Sequence, residues 1–532
     1  MMQTNLSDKK KQMPEIIIAT LVGFAIVFGV CGIMGTLNSG YHFVDDHEYL
    51  AWTYNLKHNL SFKELLYWNV RDDGNRFRPL YMFFRTVWIY FFGTNLFIHS
   101  VIKAIQSAIS LVCLYFVARN HNIYPCSKPL AASFALMCYI GYQTCTWWKL
   151  GTTEVQGILT FSIGFLLTET YIRNKQKKYM IMSLVMFELM SLLKENLFIL
   201  LPFVGFYTLF SDIRMDLTEK TEKIDAKYVW NIIKSRMIFY VFLILIVLET
   251  LYACVFLIDP SAYKGGEYFS SESLLNTEAW IHSITHDLKW FVLFGMVFSG
   301  ILLTYYERYN NMWMDVVLLV IFILPQIMVF SKSGMDERYI LPSSVGYSFF
   351  FVIAAFGQKV LNGLRKKIYI CCLILLLLAH ARAALIEADY FRYRGNSVQS
   401  VLDFAAQTIN NDPDVKICSA LRYFESNRTI QYYLKLYAKE NIYYYYETDD
   451  EIDGYGIDED YWGLGNSSNK YSLDQMDVII EYGPEDRHFT QSTRLDHSEF
   501  EMKQYGTLLV YVRKGSNISF PDASIKPPAI IF

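Results

Sequence analysis

Stretches of roughly 15 to 22 residues without a formal charge recur along the chain. They lie near 16–35, 101–118, 129–147, 153–172, 179–193, 195–211, 236–258, 288–304, 312–331, 339–357 and 367–385. A helix of about 20 apolar residues crosses the hydrocarbon core of a bilayer, so the pattern predicts about eleven transmembrane helices. The two runs that flank Lys194 read either as two spans or as one long or broken helix. Leu80 to Phe97 is also apolar. It is read as a helix lying along or dipping into the outer surface, because counting it as a span would reverse every later loop.

Beyond about Ala388 the pattern changes and charges return. Short apolar runs at Val415 to Cys418, Ile442 to Tyr446, Val478 to Glu481 and Leu508 to Val512 read as strands, and Val398 to Ile409 and Thr429 to Ala438 read as helices. The expected architecture is a polytopic α-helical membrane domain over residues 1–387, with a first outer loop at about 36–97, followed by an extracytoplasmic soluble α/β domain over 388–532. Acidic residues between Asp449 and Asp460, interleaved with Gly and Tyr, form a long loop, either a cation or acceptor contact or simply solvated.

Composition agrees with a membrane chain: 53% of the 532 residues are hydrophobic, 17% aromatic and only 19% charged, against about 25% charged in a typical soluble domain. The net charge of −3 and the lack of a basic patch interleaved with aromatics argue against nucleic acid as a partner. Nine cysteines fall almost wholly inside apolar runs, without a C-x-x-C pair, so neither a disulfide framework nor a structural zinc site is expected.

Basic residues set the orientation, since Lys and Arg gather in cytoplasmic loops. Lys9 to Lys11 precede the first span, which is too long for a signal sequence and reads as retained. With the N-terminus inside, the cytoplasmic loops hold Arg119 and Lys128, then Arg173, Lys175, Lys177 and Lys178, the segment from Asp212 to Arg236, and Lys359, Arg365, Lys366 and Lys367. The C-terminal domain then lies outside, and its scarcity of cysteine fits a bacterial plasma membrane.

The most informative polar stretch is Phe43-Val44-Asp45-Asp46-His47-Glu48-Tyr49, just past the first span. Clustered carboxylates repel and raise one another's pKa, which is a cost that asks for a reason. One of them can serve as general base towards an acceptor hydroxyl while another orients the substrate or holds an ion. The plainer alternative is a helix cap. Further charged groups are expected on the same outer face: Arg78 within Arg76-Phe77-Arg78-Pro79-Leu80, Lys103, Lys194 with Glu195 and Asn196, Glu154 after Trp147-Trp148-Lys149, and Asp336-Glu337-Arg338-Tyr339. Guanidinium and ammonium groups there suit a phosphate. Headgroup contacts, local ion pairs and an interfacial aromatic belt are the ordinary alternatives.

An acidic pair after the first span, a basic-Pro-Leu element leading into a helix that ends Phe91-Phe92-Gly93, Lys103, and Glu337-Arg338-Tyr339-x-x-Pro342 together resemble the GT-C glycosyltransferases. The likeness is greatest to the protein mannosyltransferase and aminoarabinose transferase branch. The resemblance implies a polyprenyl-phosphate sugar as donor and an acidic catalytic residue in the first outer loop. Asp45 matches the first acid of the family's Asp-Glu pair and Asp46 the second, where this chain has Asp in place of Glu. Arg78, Lys103, Lys194 and Arg338 are the expected donor-phosphate ligands. Glu48, Glu154, Glu195 and Tyr339 are the expected sugar or acceptor contacts. The expected reaction inverts the anomeric centre, with membrane lipid around the protein and an acceptor on the outer side that the sequence does not name. No cofactor is expected, although a divalent cation at Asp45/Asp46 stays open. A transporter or flippase of lipid-linked saccharides is the alternative, disfavoured by the lack of repeat symmetry. An oligosaccharide polymerase or ligase and a membrane-anchored binding module stand further off.

Overall fold

The computed structural model describes residues 6–71, 77–219, 225–253, 276–286, 288–305, 312–331, 334–335, 339–341, 343–357, 361–421, 424–438, 442–444, 475–486, 497–520 and 525–529. The acidic stretch Asp449 to Asp460 lies outside them, as do Arg76, Asp336, Glu337, Arg338 and Pro342.

Helix α1 (Leu6–Met34) is the first span. It is followed by α2 (Asp46–His58), α3 (Phe62–Arg71) and α4 (Pro79–Phe92). Proline opens α4, where its missing N–H costs nothing, and the helix has 14 residues. At 1.5 Å per residue that is roughly 21 Å, too short to cross a bilayer. Next come α5 (Leu96–Arg119), α6 (Lys128–Ile140), α7 (Thr144–Trp147), α8 (Glu154–Asn174) and α9 (Lys177–Leu193). The expected 129–147 span is thus broken into α6 and the single turn α7. Lys194 stands at a true break, extended at φ −153°, before a 3₁₀ turn (Glu195–Ile199) and α10 (Leu200–Glu219).

Helices α11 (Ala226–Ser235) and α12 (Met237–Tyr252) are bent by 82° at Arg236. They are followed by α13 (Thr277–Thr285), α14 (Lys289–Leu303) and α15 (Met312–Val329). Helix α16 (Ser343–Ser348) runs through a π-helical stretch (Phe349–Ala354) into α17 (Ala355–Gly357). Six helices among the described residues are long and apolar enough to cross a membrane, or eight if each bent pair is one span. Over their described residues the eleven expected apolar stretches lie mainly on helices, several of them shorter than a full crossing.

The outward faces of this bundle are apolar. Ile18, Leu21 and Ile33 on α1, Ile244 and Leu248 on α12, and Met328 on α15 are exposed. Large exposed apolar side chains on several neighbouring helices are what a lipid-facing surface requires. Inside, small residues allow close crossing: a Cβ on Gly164 of α8 would stand 2.8 Å from the Phe187 ring of α9.

At the end of the bundle remote from the C-terminal domain, polar pairs tie helices together, two of them buried. Arg119 Nε donates to Glu15 Oε1 at 2.8 Å, Arg214 Nη1 to Asp315 Oδ1 at 2.8 Å, and Arg236 Nη2 to Asp212 Oδ1 at 2.7 Å. The expected cytoplasmic residues Arg119, Arg173, Lys175 and Lys177 all lie at this end.

Helix α18 (Gly363–Asn411) has 49 residues, runs without a break through the expected domain boundary, and leads out of the bundle into the soluble part. There, β1 (Ile417–Ser419), α19 (Phe424–Tyr437), β2 (Ile442–Tyr444), β3 (Val478–Tyr482), β4 (Phe500–Tyr505) and β5 (Leu508–Arg513) follow. They form a five-stranded sheet ordered β2-β1-β3-β5-β4, in which β1 is parallel to β2 and β3, and β5 is antiparallel to β3 and β4. Strand β4 was not expected. Its edge position leaves only its two ends buried, so it carries no apolar run. The first outer loop packs in two directions: Tyr81 and Met82 of α4 meet Leu193 of α9 in the bundle, and the rest turns to the C-terminal domain. Tyr41, Phe43, Tyr49, Leu50, Trp52, Leu65 and Ile89 share one apolar core with Val398, Leu402, Ile417, Ile430 and Val478 of the C-terminal domain. This shared core fixes how the loop sits over the bundle.

Candidate active site

The segment between α1 and α2 bends back on itself through two non-glycine residues in the left-handed region, Phe43 at φ 72° and Asp45 at φ 63°. Each such residue costs about 1–2 kcal/mol, so the bend persists only where its surroundings hold it. Asp46 supplies part of that hold. Its Oδ2 accepts the backbone N–H groups of His42 and Phe43, the latter at 3.0 Å. The Asp46 carboxyl is 1% exposed, and burial raises its pKa to about 7, although the two backbone donors work in the opposite direction. Opposite it lies Lys149, whose Nζ donates to the Ser39 carbonyl. Burial lowers the Lys149 pKa to about 7, with the field of Asp46 opposing.

Asp45 occupies the N-cap position of α2, yet its side chain makes no capping hydrogen bond. The capping role that was the plain alternative for this acid is therefore not taken up. Its backbone N–H donates to Glu425 Oε2 of α19 at 2.6 Å, and its side chain packs on the backbone of Gly151. A Cβ added there would lie 2.2 Å from Asp45 Cβ. Gly151, at φ 79°, is a position where only glycine fits without strain.

Beside Gly151, Thr152 receives Lys103. The Lys103 Nζ donates to both the carbonyl and the hydroxyl of Thr152. At the first position of α8, Glu154 Oε1 is ion-paired with Lys194, both side chains being buried. The ring of Tyr339 lies over the same ammonium, 5.8 Å from its Nζ. Asp45, Glu154 and Lys194 are close enough to act on the charge of Lys103. The structure therefore brings together five residues from separate parts of the sequence that were expected to share a site: Asp45, Lys103, Glu154, Lys194 and Tyr339.

The remaining expected residues are placed differently. Glu48 is ion-paired with Arg85, whose Nη2 also donates to Asn69 Oδ1 at 2.5 Å. Arg78 is buried at the N-cap of α4. Glu195 opens the 3₁₀ turn after Lys194. Arg338 lies outside the described residues. Among the described residues no group of three or more His, Cys, Asp or Glu is placed to hold a metal ion.

Four residues of the site escaped the sequence reading as site residues: Arg85, Gly151, Thr152 and Glu425. Lys149 was noted only beside an aromatic pair, although a lysine between apolar runs is itself a signal. His47 is largely enclosed, with its side chain 12% exposed, and desolvation pushes its pKa down to about 4, so it is neutral at pH 7. It approaches Glu425, with Nδ1 3.8 Å from Oε2.

No family model matches the sequence, and no curated protein matches it. Among solved structures, the chain is similar to ArnT from Cupriavidus metallidurans in the apo state, with 12% identity, 94% of this chain and 98% of that chain covered, and a TM-score of 0.47. For the same protein bound to undecaprenyl phosphate the values are 11%, 96%, 99% and 0.47. The oligosaccharyltransferase of Archaeoglobus fulgidus in the apo form is similar at 13% identity, with 80% of this chain and 64% of that chain covered and a TM-score of 0.42.

Proposed function

We propose that the protein is an integral membrane glycosyltransferase of the GT-C type, which moves a sugar from a polyprenyl-phosphate carrier to an acceptor on the face that bears the C-terminal domain. The observation that carries this reading is that Asp45 packs on Gly151, next to the Thr152 that receives Lys103 and two residues before the Glu154 paired with Lys194, at one end of a lipid-facing helix bundle. A carboxylate with no capping duty and buried ammonium groups beside it suit a reaction that takes a proton from a hydroxyl and releases a phosphate.

In this reaction the donor's polyprenyl tail stays in the bilayer and its phosphate sits at the interface. The acceptor oxygen attacks the anomeric carbon as Asp45 accepts the hydroxyl proton. A new C–O bond forms, the bond from the anomeric carbon to the phosphate oxygen breaks with inversion, and the lipid monophosphate leaves with the electron pair. Lys103 and Lys194 offset the negative charge that develops on the leaving group, in a site shielded from bulk water. Arg78 and Arg338 are further candidate cations. Glu154 and Tyr339, held around Lys194, are the proposed sugar contacts, with Glu48 and Glu195 as additional contacts to sugar or acceptor. Asp46 acts on Asp45 by holding the bend that presents it. Charge neutralisation by the chain's own ammonium groups makes the reaction metal-independent.

The clustering of Arg119, Lys128, Arg173, Lys175 and Lys177 at the far end supports a cytoplasmic N-terminus and an extracytoplasmic site in a bacterial plasma membrane. The test is transfer in proteoliposomes from a panel of labelled polyprenyl-phosphate sugars. Sugar-dependent release of the lipid phosphate supports the reading and begins to name the donor. Passage of intact labelled lipid across the bilayer, without release, would replace it by the flippase alternative.

A further inference from the structure

The bend at residues 43–45 is held from three sides: by the outer loop itself, by Trp148, whose Nε1 donates to the Val44 carbonyl at 3.3 Å, and by the C-terminal domain. Asp46 ties the N–H groups of His42 and Phe43. Two further ties come from α19, 380 residues or more away along the chain. Glu425 Oε2 accepts the Asp45 N–H at 2.6 Å. One turn on, the Thr429 hydroxyl shares its hydrogen between the Glu425 carbonyl at 2.8 Å and the Phe43 carbonyl at 3.3 Å. Glu425 and Thr429 therefore grip the two left-handed residues of the bend, Asp45 and Phe43, from one face of one helix.

This grip matters because of where Asp45 is wedged. On one side its backbone is held by Glu425, and on the other its side chain lies against the backbone of Gly151, next to the threonine that receives Lys103. Without the acceptor at Glu425, the Asp45 N–H loses a charge-assisted hydrogen bond, and nothing from α19 opposes relaxation of its backbone to the extended region that L residues prefer. Such a relaxation swings the carboxylate away from Gly151 and from Lys103.

We propose that Glu425 is a positioning residue for Asp45, and that the C-terminal domain, through Glu425 and Thr429 of α19, completes the active site by holding the catalytic carboxylate in place. This rests on the reading of Asp45 as the general base. Glu425 acts as a hydrogen-bond acceptor for the backbone and does not exchange a proton with substrate. The soluble domain is then part of the catalytic machinery, with no separate binding module implied.

The experiment compares full-length wild type, Asp45→Asn, Glu425→Ala, Glu425→Gln and Thr429→Val in the proteoliposome transfer assay, with thermal unfolding of each. The Gln side chain keeps an oxygen that accepts the Asp45 N–H, so Glu425→Gln is expected to retain kcat within about threefold of wild type, with the same pH profile. Glu425→Ala is expected to lower kcat about 10- to 100-fold. Its KM for the donor should stay within about twofold, since binding is not what the contact serves. Thr429→Val, which keeps the shape of the helix face, is expected to lower kcat by about threefold, and it reads the same grip if Glu425→Ala fails to fold.

A Glu425→Ala protein with wild-type kcat overturns the proposal. So does a Glu425→Gln protein as inactive as Asp45→Asn, which would make the Glu425 carboxylate itself the reacting group. If Asp45→Asn is fully active, the base assignment fails whatever Glu425 does. If Asp45→Asn is inactive while both Glu425 variants are normal, the base assignment stands and the positioning role falls.

Discussion

Gly151 offers a perturbation that moves the candidate base without changing any charge. A Cβ at this position would stand 2.2 Å from Asp45 Cβ and 2.4 Å from Asp45 Cγ and Oδ2. Ordinary van der Waals contact begins near 3.4 Å, so Gly151→Ala requires Asp45 to retreat by about 1 Å. It has little room to do so, because its own N–H is held by Glu425. Misplacing a catalytic group by about 1 Å costs on the order of 100-fold in rate. The left-handed φ of 79° adds about 1–2 kcal/mol of backbone strain for alanine, which lowers Tm by no more than roughly 10 °C. The expected outcome is a folded protein whose kcat falls about 100-fold while its donor KM changes little. Initial rates of lipid-phosphate release in proteoliposomes, together with thermal unfolding in detergent, provide the two readings. A Gly151→Ala protein with wild-type kcat would refute the placement of the reacting carboxylate against Gly151.

Four further outcomes are expected. The folded pKa of Asp46 is raised from 3.8 to about 7, so between those values the folded carboxyl is protonated while the unfolded one is ionised. This group makes stability fall as pH rises through that window and adds no slope above it. Asp46→Asn should remove that slope, as read from Tm between pH 4.5 and 8. Lys194→Met leaves Glu154 charged and buried, a loss of about 3–5 kcal/mol. The double variant Glu154→Gln/Lys194→Met should recover the fold but not the transfer rate, and full activity of the double variant would remove Lys194 from the phosphate site. At the far end of the bundle, Arg214→Met breaks the buried pair with Asp315. It is expected to cost about 3–5 kcal/mol of stability and to leave kcat unchanged in the protein that folds. Transfer should be insensitive to EDTA, and a rate restored only by added divalent cation would overturn the metal-independent mechanism.

How far these features were legible in the sequence follows from what constrains each of them. The bilayer imposes long apolar stretches, so the helices stand out, and a charge at the end of such a stretch is conspicuous. That is why Asp45, Lys103, Glu154 and Lys194 could be singled out before their contacts were known. The break at Lys194 was half legible: the charge was visible, but the extended residue and the 3₁₀ turn that place it against Glu154 were not. Strand β4 was hidden because Glu501, Met502 and Lys503 face outward on a sheet edge, leaving no run of apolar residues to find.

The division of labour within Asp45-Asp46-His47-Glu48 was not legible either. It depends on two left-handed residues that turn the Asp46 carboxylate back onto His42 and Phe43. It depends also on Arg85, which arrives from α4 to neutralise Glu48. Glu425 gave no local signal, since it is one acid among the many of the C-terminal domain, and only the shared core of loop and domain brings it to Asp45. Spacing along the chain finds what the membrane dictates, and tertiary packing decides which of those charges meet.

The central claim is that the Asp45 carboxylate takes the proton of an acceptor hydroxyl in a sugar transfer from a lipid phosphate. The most direct measurement is the single-turnover rate of lipid-phosphate release by Asp45→Asn and by wild type in the same proteoliposomes, across pH 5 to 9. The account predicts that the substitution lowers the rate at least about 1000-fold across this pH range, with donor binding and Tm preserved. An Asp45→Asn protein that releases lipid phosphate at the wild-type rate, with the same pH profile, would contradict it.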